Sequence, residues 1–301
     1  MIRAMLLEPP HRPARHSRFA AVICLLLACA GCSGAFFSAL NTGLGGPDPS
    51  TVVFDAGHGL ALDVFAPQAA DTPAPVVVFF HGGTWQGGER GEYRFVGDAL
   101  AARGALALVP DYRKYPQVRF PDFMDDAAAA VAWAHDHARA HGGDPGRIFL
   151  AGHSAGAHIA ALLATDPRYL EAHGVPRHAI AGLIGLAGAY DFLPSDDEEL
   201  VAIFGSDPDQ QARSQPVNFV DRDTPPALLI HGDADRLVKP ANSRSLASEL
   251  RANGVPVAHT EVAGIGHIRL LAGMRTERLA DVLDPTAAFI HEQPARTPTP
   301  R

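Results

Sequence analysis

The chain carries Gly152-His153-Ser154-Ala155-Gly156, a G-x-S-x-G pattern. In such a pattern two glycines allow a tight strand-to-helix turn that pushes a serine oxygen into the open. The bare pattern is weak: with 29 Gly in 301 residues, chance predicts about 0.1 copies. Its surroundings strengthen it, because residues 147–151 are strand-like and residues 157–164 helix-like. A serine hydroxyl is a poor nucleophile until a base takes its proton, and that base needs an acid to orient it. Both candidates lie downstream: Asp235 in the loop after His231-Gly232, and His267 at the end of Gly264-Ile265-Gly266-His267. Asp233 is the alternative acid. His259 is the alternative base, although its place within a strand-like run argues against it.

Attack on a carbonyl creates an oxyanion that needs preorganised backbone N–H donors. His81-Gly82-Gly83-Thr84-Trp85 follows the most apolar short run of the chain, Val76 to Phe80, and can supply them. The expected donors are Gly82, Gly83 and Ala155, the residue after the nucleophile. A simple strand-ending turn is the bland alternative. Trp85 and His153 are candidates for the substrate pocket, Trp85 with packing under a neighbouring segment as its alternative. His81 and His153 are read as supports of loop geometry rather than proton carriers. His137 and His141 have i, i+4 spacing, but no third ligand is evident nearby, so a solvated helix face is expected and no metal.

The elements that must position these groups alternate. Residues 76–80, 105–109, 148–151, 180–186, 227–230 and 257–262 read as strands, with helix-like stretches between them. Residues 51–65 read as an edge hairpin, and 123–140 as an Ala-rich helix ended by Gly142-Gly143. The expected fold class is α/β, a mostly parallel sheet covered by helices on both faces. Residues 191–223 are too long for an ordinary connection. They are expected to form an insertion, or lid, before the strand that precedes the catalytic Asp. Phe192, Leu193, Phe204 and Phe219 there are candidates for an apolar lid or for core, and the acidic run 196–199 would disfavour anionic substrates.

With these residues assembled, the chain resembles the carboxylesterase branch of the α/β-hydrolases, in its form with HGG-x-W in place of HGGG. Arylformamidases, isoprenylcysteine methylesterase-like proteins and bacterial acetyl or feruloyl esterase-like proteins share that look. The resemblance spans residues 52–290 and includes Asp111-Tyr112-Arg113, Phe120-Pro121, Gly142-Gly143-Asp144-Pro145 and His231-Gly232 with Asp235. It implies an α/β-hydrolase fold and serine-dependent cleavage of small esters through an acyl-enzyme, with no cofactor. It does not specify the substrate. Alternatives within enzymes are amide cleavage, as in an arylformamidase or small peptidase, and a lyase using the triad only as a base. The alternative outside enzymes is a non-catalytic, membrane-tethered binding module.

Composition frames these readings. At 47% hydrophobic and 19% charged the chain can bury a large core, and a net charge of −8 without a Lys/Arg block excludes nucleic acid as a main partner. Arg3, Arg12, Arg15 and Arg18 precede an apolar run from Phe19 to Ala30, an export signal too short to span a bilayer, which takes about 20 apolar residues. Cys24, Cys29 and Cys32 are the chain's three cysteines. The segment ends like a lipobox, with Cys32 the expected lipidation site and Cys29 the alternative. The expected organisation is a signal at 1–32, a flexible linker at 33–50, a catalytic domain at 51–292 and a disordered tail at 293–301, the whole held at the cell envelope by a lipid anchor.

Overall fold

Parallel strands joined by helices put every strand's carboxyl end on one edge, and loops on that edge can converge on a site. The computed structural model describes residues 34–67, 72–195 and 197–297, so Cys32, the export segment and Asp196 lie outside the described residues. The described residues from Leu40 onward form one compact unit. Its eight strands are β1 Ser50–Asp55, β2 Leu60–Phe65, β3 Ala74–Phe80, β4 Leu106–Pro110, β5 Gly143–His153, β6 Ile180–Leu186, β7 Ala227–Gly232 and β8 Val257–Val262. They lie side by side in the order β1-β2-β4-β3-β5-β6-β7-β8. The β1–β2 hairpin is antiparallel and adds antiparallel to β4, whereas β4 through β8 pair parallel.

Strands β3, β4 and β6 are apolar and buried along their whole length because helices cover both faces. Val76, Val78, Phe80, Leu106, Leu108, Ile148 and Leu150 share one core with residues of α2 (Asp122–His137) and α3 (Ala155–Thr165). Alternate residues turn the other way: Phe149 meets Phe289 of α9 (Leu283–Glu292) at 6.1 Å, and α9 also touches α1 (Arg94–Ala102). The edge strand β8 alternates exposed and half-buried residues, as expected for a strand with a single neighbour.

The expected strands and hairpin are all present. The described residues of 191–223 contain no strand and fold as α5 (Glu198–Phe204), α6 (Pro208–Arg213) and a 3-10 turn at Pro216–Phe219. Two expectations differ. The stretch from residue 40 to 49 is held to the domain: Asn41 donates to the carbonyls of Gly91 and Glu92 and accepts from the Phe95 N–H, and Arg275 donates to the Leu40 and Gly43 carbonyls. At the other end Arg296 donates to the Ile180 and Asp223 carbonyls, so residues up to 297 are held rather than trailing. One amide and two guanidinium groups supply the donors that make the difference, and composition does not announce them.

Candidate active site

Ser154 stands between β5 and α3 with φ 56° and ψ −122°, a conformation that costs a non-glycine residue free energy. The turn closes because its flanking glycines have no side chains. A Cβ on Gly156 would run into the carbonyl oxygen of Phe80, and one on Gly152 into the Gly156 backbone. The Ser154 N–H is fixed by the Leu186 carbonyl at 2.9 Å. Ala155 opens α3, and a first-turn N–H has no intrahelical acceptor, so its donor faces outward beside the serine.

Asp235 follows β7 and His267 follows β8, both on the edge where β5 delivers Ser154. His267 Nδ1 lies 2.7 Å from Asp235 Oδ2. With Nδ1 donating its proton there, Nε2 is left as the lone-pair nitrogen that a base requires. The backbone N–H groups of Leu237 and Val238 both donate to Asp235 Oδ1 at 2.9 Å. Burial pushes this carboxyl up, but the hydrogen bonds from His231 and His267 outweigh it and hold it well below the usual carboxylate range. The alternatives fall elsewhere: Asp233 accepts the Gly264 N–H at 2.6 Å, and His259 lies within β8 beside Glu261.

The loop after β3 corrects one expectation. The Gly82 N–H donates to Tyr93 Oη at 3.0 Å, so this donor is engaged. Gly83, Thr84 and Trp85 follow with φ of 126°, 53° and 58°. Thr84 lines the same cavity as Ser154, and Ala155 follows the serine at the start of α3. A Cβ on Gly83 would strike the Gly87 carbonyl, which is why glycine stands there.

His153 is the second correction. It is buried and does not line the pocket; its ring lies 4.6 Å from that of His267, and its Nε2 is 3.3 Å from the His267 carbonyl oxygen. Burial, then the neighbouring His267, push it well below the ordinary imidazole value. It is a neutral floor beneath the candidate base. His81 is buried too, stacked on Tyr112 at 4.4 Å, while Tyr112 Oη donates to the His81 carbonyl at 2.8 Å. Asp111 accepts from Arg90, and Arg113 forks onto Asp126, so the Asp-Tyr-Arg run braces the loop.

Ser154 opens into a cavity of 630 Å³. Its apolar wall is Trp85, Phe192, Leu193, Leu200 and Ile203, and its rim carries Asp191, Asp197, Glu199 and Lys239. Trp85 both lines the cavity and packs, stacking on Phe192 at 5.5 Å and meeting Phe204 edge-on at 4.9 Å. Phe204 is core, and Phe219 carries Arg168 over its ring. Several positioning residues carry no motif: Gln215 Oε1 accepts the Phe192 and Leu193 N–H groups, and Asn242 Oδ1 accepts those of Tyr190 and Asp191. Among the described residues no three His, Cys, Asp or Glu side chains stand close enough together to hold a metal. No described helix is long and apolar enough to cross a membrane.

Known proteins resemble this chain in sequence and in fold. The BD-FAE family model matches residues 62–250. Esterase LipC of Mycobacterium tuberculosis is 33% identical over 77% of this chain and 62% of its own length. An isoprenylcysteine alpha-carbonyl methylesterase of Arabidopsis thaliana is 29% identical over 74% of this chain and 58% of its own. The chain thus spans about three fifths of the length of these relatives. Among solved structures, propionate-bound Est2 from Thermogutta terrifontis superposes with a TM-score of 0.71 at 26% identity, covering 84% of this chain and 97% of that one. An acetyl ester-xyloside bifunctional hydrolase from Caldicellulosiruptor lactoaceticus shares the fold at TM-score 0.71 and 22% identity, covering 83% of this chain and 98% of that one. By the extent of the family match and by its fold, the chain belongs to the BD-FAE family of carboxylesterase-type α/β-hydrolases.

Proposed function

We propose that the protein is a serine carboxylesterase that cleaves small carboxylic esters in two steps. Ser154 Oγ attacks the ester carbonyl while His267 Nε2 takes its proton. Asp235 stabilises the imidazolium, and the N–H groups of Gly83, Thr84 and Ala155 receive the oxyanion. His267 then protonates the departing alcohol, leaving an acyl group on Ser154. Water, deprotonated by His267, releases the acid and restores the serine. The observation that carries this reading is the 2.7 Å contact between His267 and Asp235 on the sheet edge that also presents the strained Ser154.

Support for small acyl groups comes from the cavity, whose apolar wall of Trp85, Phe192, Leu193, Leu200 and Ile203 suits a short chain. Related Est2 structures from Thermogutta terrifontis hold propionate and butyrate. The test is a fluorophosphonate label mapped by mass spectrometry, run beside p-nitrophenyl acetate, butyrate and octanoate. Label on Ser154 with turnover falling from the short esters to octanoate supports the reading. A folded, unlabelled and inactive protein overturns it.

Location follows from the first 32 residues: basic residues, an apolar run and Cys32 support export and lipid attachment at the cell envelope. Fractionating cells that express the full chain and its Cys32→Ser variant tests this. The proposal fails if both distribute alike.

A further inference from the structure

His231 is fully buried at the end of β7, four residues before Asp235, and the reaction described above gives it no part. Its Nε2 lies 2.9 Å from the Val238 carbonyl oxygen and 3.3 Å from Asp235 Oδ2, the same carboxylate oxygen that His267 contacts. Its Nδ1 lies 2.7 Å from Ser243 Oγ, in the first turn of α7 (Ala241–Ala252), also fully buried. Two oxygen acceptors face Nε2, so that nitrogen carries the proton. Nδ1 then takes a hydrogen bond from the Ser243 hydroxyl.

We infer that His231, its ring held in place by Ser243, is a positioning residue that shares its Nε2–H between the Val238 carbonyl and Asp235 Oδ2 and so steadies both the direction and the basicity of the acid behind His267. Asp235 then faces two backbone N–H groups on Oδ1, the His267 ring at 2.7 Å from Oδ2, and the His231 N–H, shared with the Val238 carbonyl, at 3.3 Å from Oδ2. A carboxylate filled in this way cannot swing, and it shares its charge between two rings instead of giving it all to His267. The backbone of Val238 is gripped on both sides, its N–H on Asp235 and its carbonyl on His231, and Val238 lines the cavity. Acid loop and pocket wall are thus one clasp closed by His231. The other titratable groups near His231 are His153 at the end of β5 and His259 and Glu261 on β8. Neither β8 group touches Asp235, and His153 meets it only through His267.

This inference rests on the triad reading, and its test separates the two. The kcat/KM profile of the full-length protein on p-nitrophenyl acetate is measured from pH 5 to 9 for the wild type, Ser243→Ala, His231→Phe and His231→Gln. Loss of this donor in His231→Phe, or its loosening when Ser243→Ala frees the ring to turn, returns charge to Asp235 Oδ2, which strengthens the imidazolium form of His267. The acid limb should therefore move up by about half a pH unit or more in Ser243→Ala and His231→Phe. Their kcat should fall about tenfold with KM little changed. A Gln amide offers a donor in place of Nε2–H, so His231→Gln should recover part of both. Ser243→Ala removes one oxygen and carries the test should His231→Phe fail to fold. An acid limb in folded Ser243→Ala that coincides with the wild type overturns the positioning role and leaves the triad reading intact. An inactive, unlabelled wild type overturns the triad reading itself.

Discussion

The indole Nε1–H of Trp85 donates to Nδ1 of His158 across 3.2 Å, joining the loop that follows β3 to the helix that follows Ser154. His158 Nε2 in turn lies 2.7 Å from the Ser214 carbonyl oxygen, so Nε2 carries the proton and one neutral ring ties the oxyanion loop, the nucleophile's helix and the inserted segment together. Burial pushes His158 down to about 4, which keeps it neutral. Trp85→Phe leaves Nδ1 buried without a donor, at a cost of about 1–3 kcal/mol. A lower Tm with a reduced kcat is expected; an unchanged Tm would show that this tie contributes nothing.

Ser154→Ala removes the nucleophile from a turn whose geometry is set by its glycines and by the Leu186 carbonyl. Turnover of p-nitrophenyl acetate should drop by about 10⁴-fold or more, and fluorophosphonate labelling should vanish, while the circular dichroism spectrum stays that of the wild type. A folded variant with full activity would falsify the assignment of the nucleophile.

Tyr93→Phe and Gly83→Ala probe the oxyanion loop from two sides. The first deprives the buried Gly82 N–H of its acceptor, at a cost of about 1–3 kcal/mol. The second drives a Cβ against the Gly87 carbonyl and displaces a proposed donor, so kcat should fall about 100-fold with a smaller change in KM. Steady-state kinetics beside urea denaturation distinguish them: Tyr93→Phe should be mainly a stability variant and Gly83→Ala mainly a catalytic one. The reverse pattern would return the donor role to Gly82.

Stability should decline on mild acidification. Burial pushes His81 and His158 from the ordinary 6.5 down to about 4. Between those values the unfolded chain binds protons that the folded chain refuses, so stability is full above about pH 6.5 and is lost as the pH falls toward 4. Each ring contributes about 3 kcal/mol across that window. Asp235, held below the ordinary carboxylate range, contributes above about pH 4 and is lost only in stronger acid. Urea denaturation at pH 7.5 and pH 5 measures the difference, and equal midpoints would contradict it.

Much of the site was legible in the chain because its chemistry is carried by contiguous residues. Gly152 to Gly156 fixed an elbow by local sterics alone. Strand periodicity placed Asp235 and His267 after successive strands, and a parallel sheet brings such ends to one edge. That the Gly82 N–H is engaged is not legible in the chain, because its acceptor, Tyr93, lies on a separate segment and leaves no local signal. His153 was placed at the pocket for its adjacency to Ser154, but adjacent residues at an elbow point to different sides.

What the sequence by itself determined is the set of groups whose role depends on neighbours within a few positions: the elbow, the glycine loop, the alternation of strands and helices, and the order of the triad. What only the tertiary structure decided is which donor meets which acceptor. Asn41 and Arg296 hold ends that composition marked as loose. His231 shares the oxygen of Asp235 with His267, and Ser243 holds the His231 ring from its other nitrogen. The physical reason is range. Steric and periodic constraints act within a turn or a strand, whereas a hydrogen bond needs its partners within about 3 Å, and for residues far apart in the chain only the folded path brings them there.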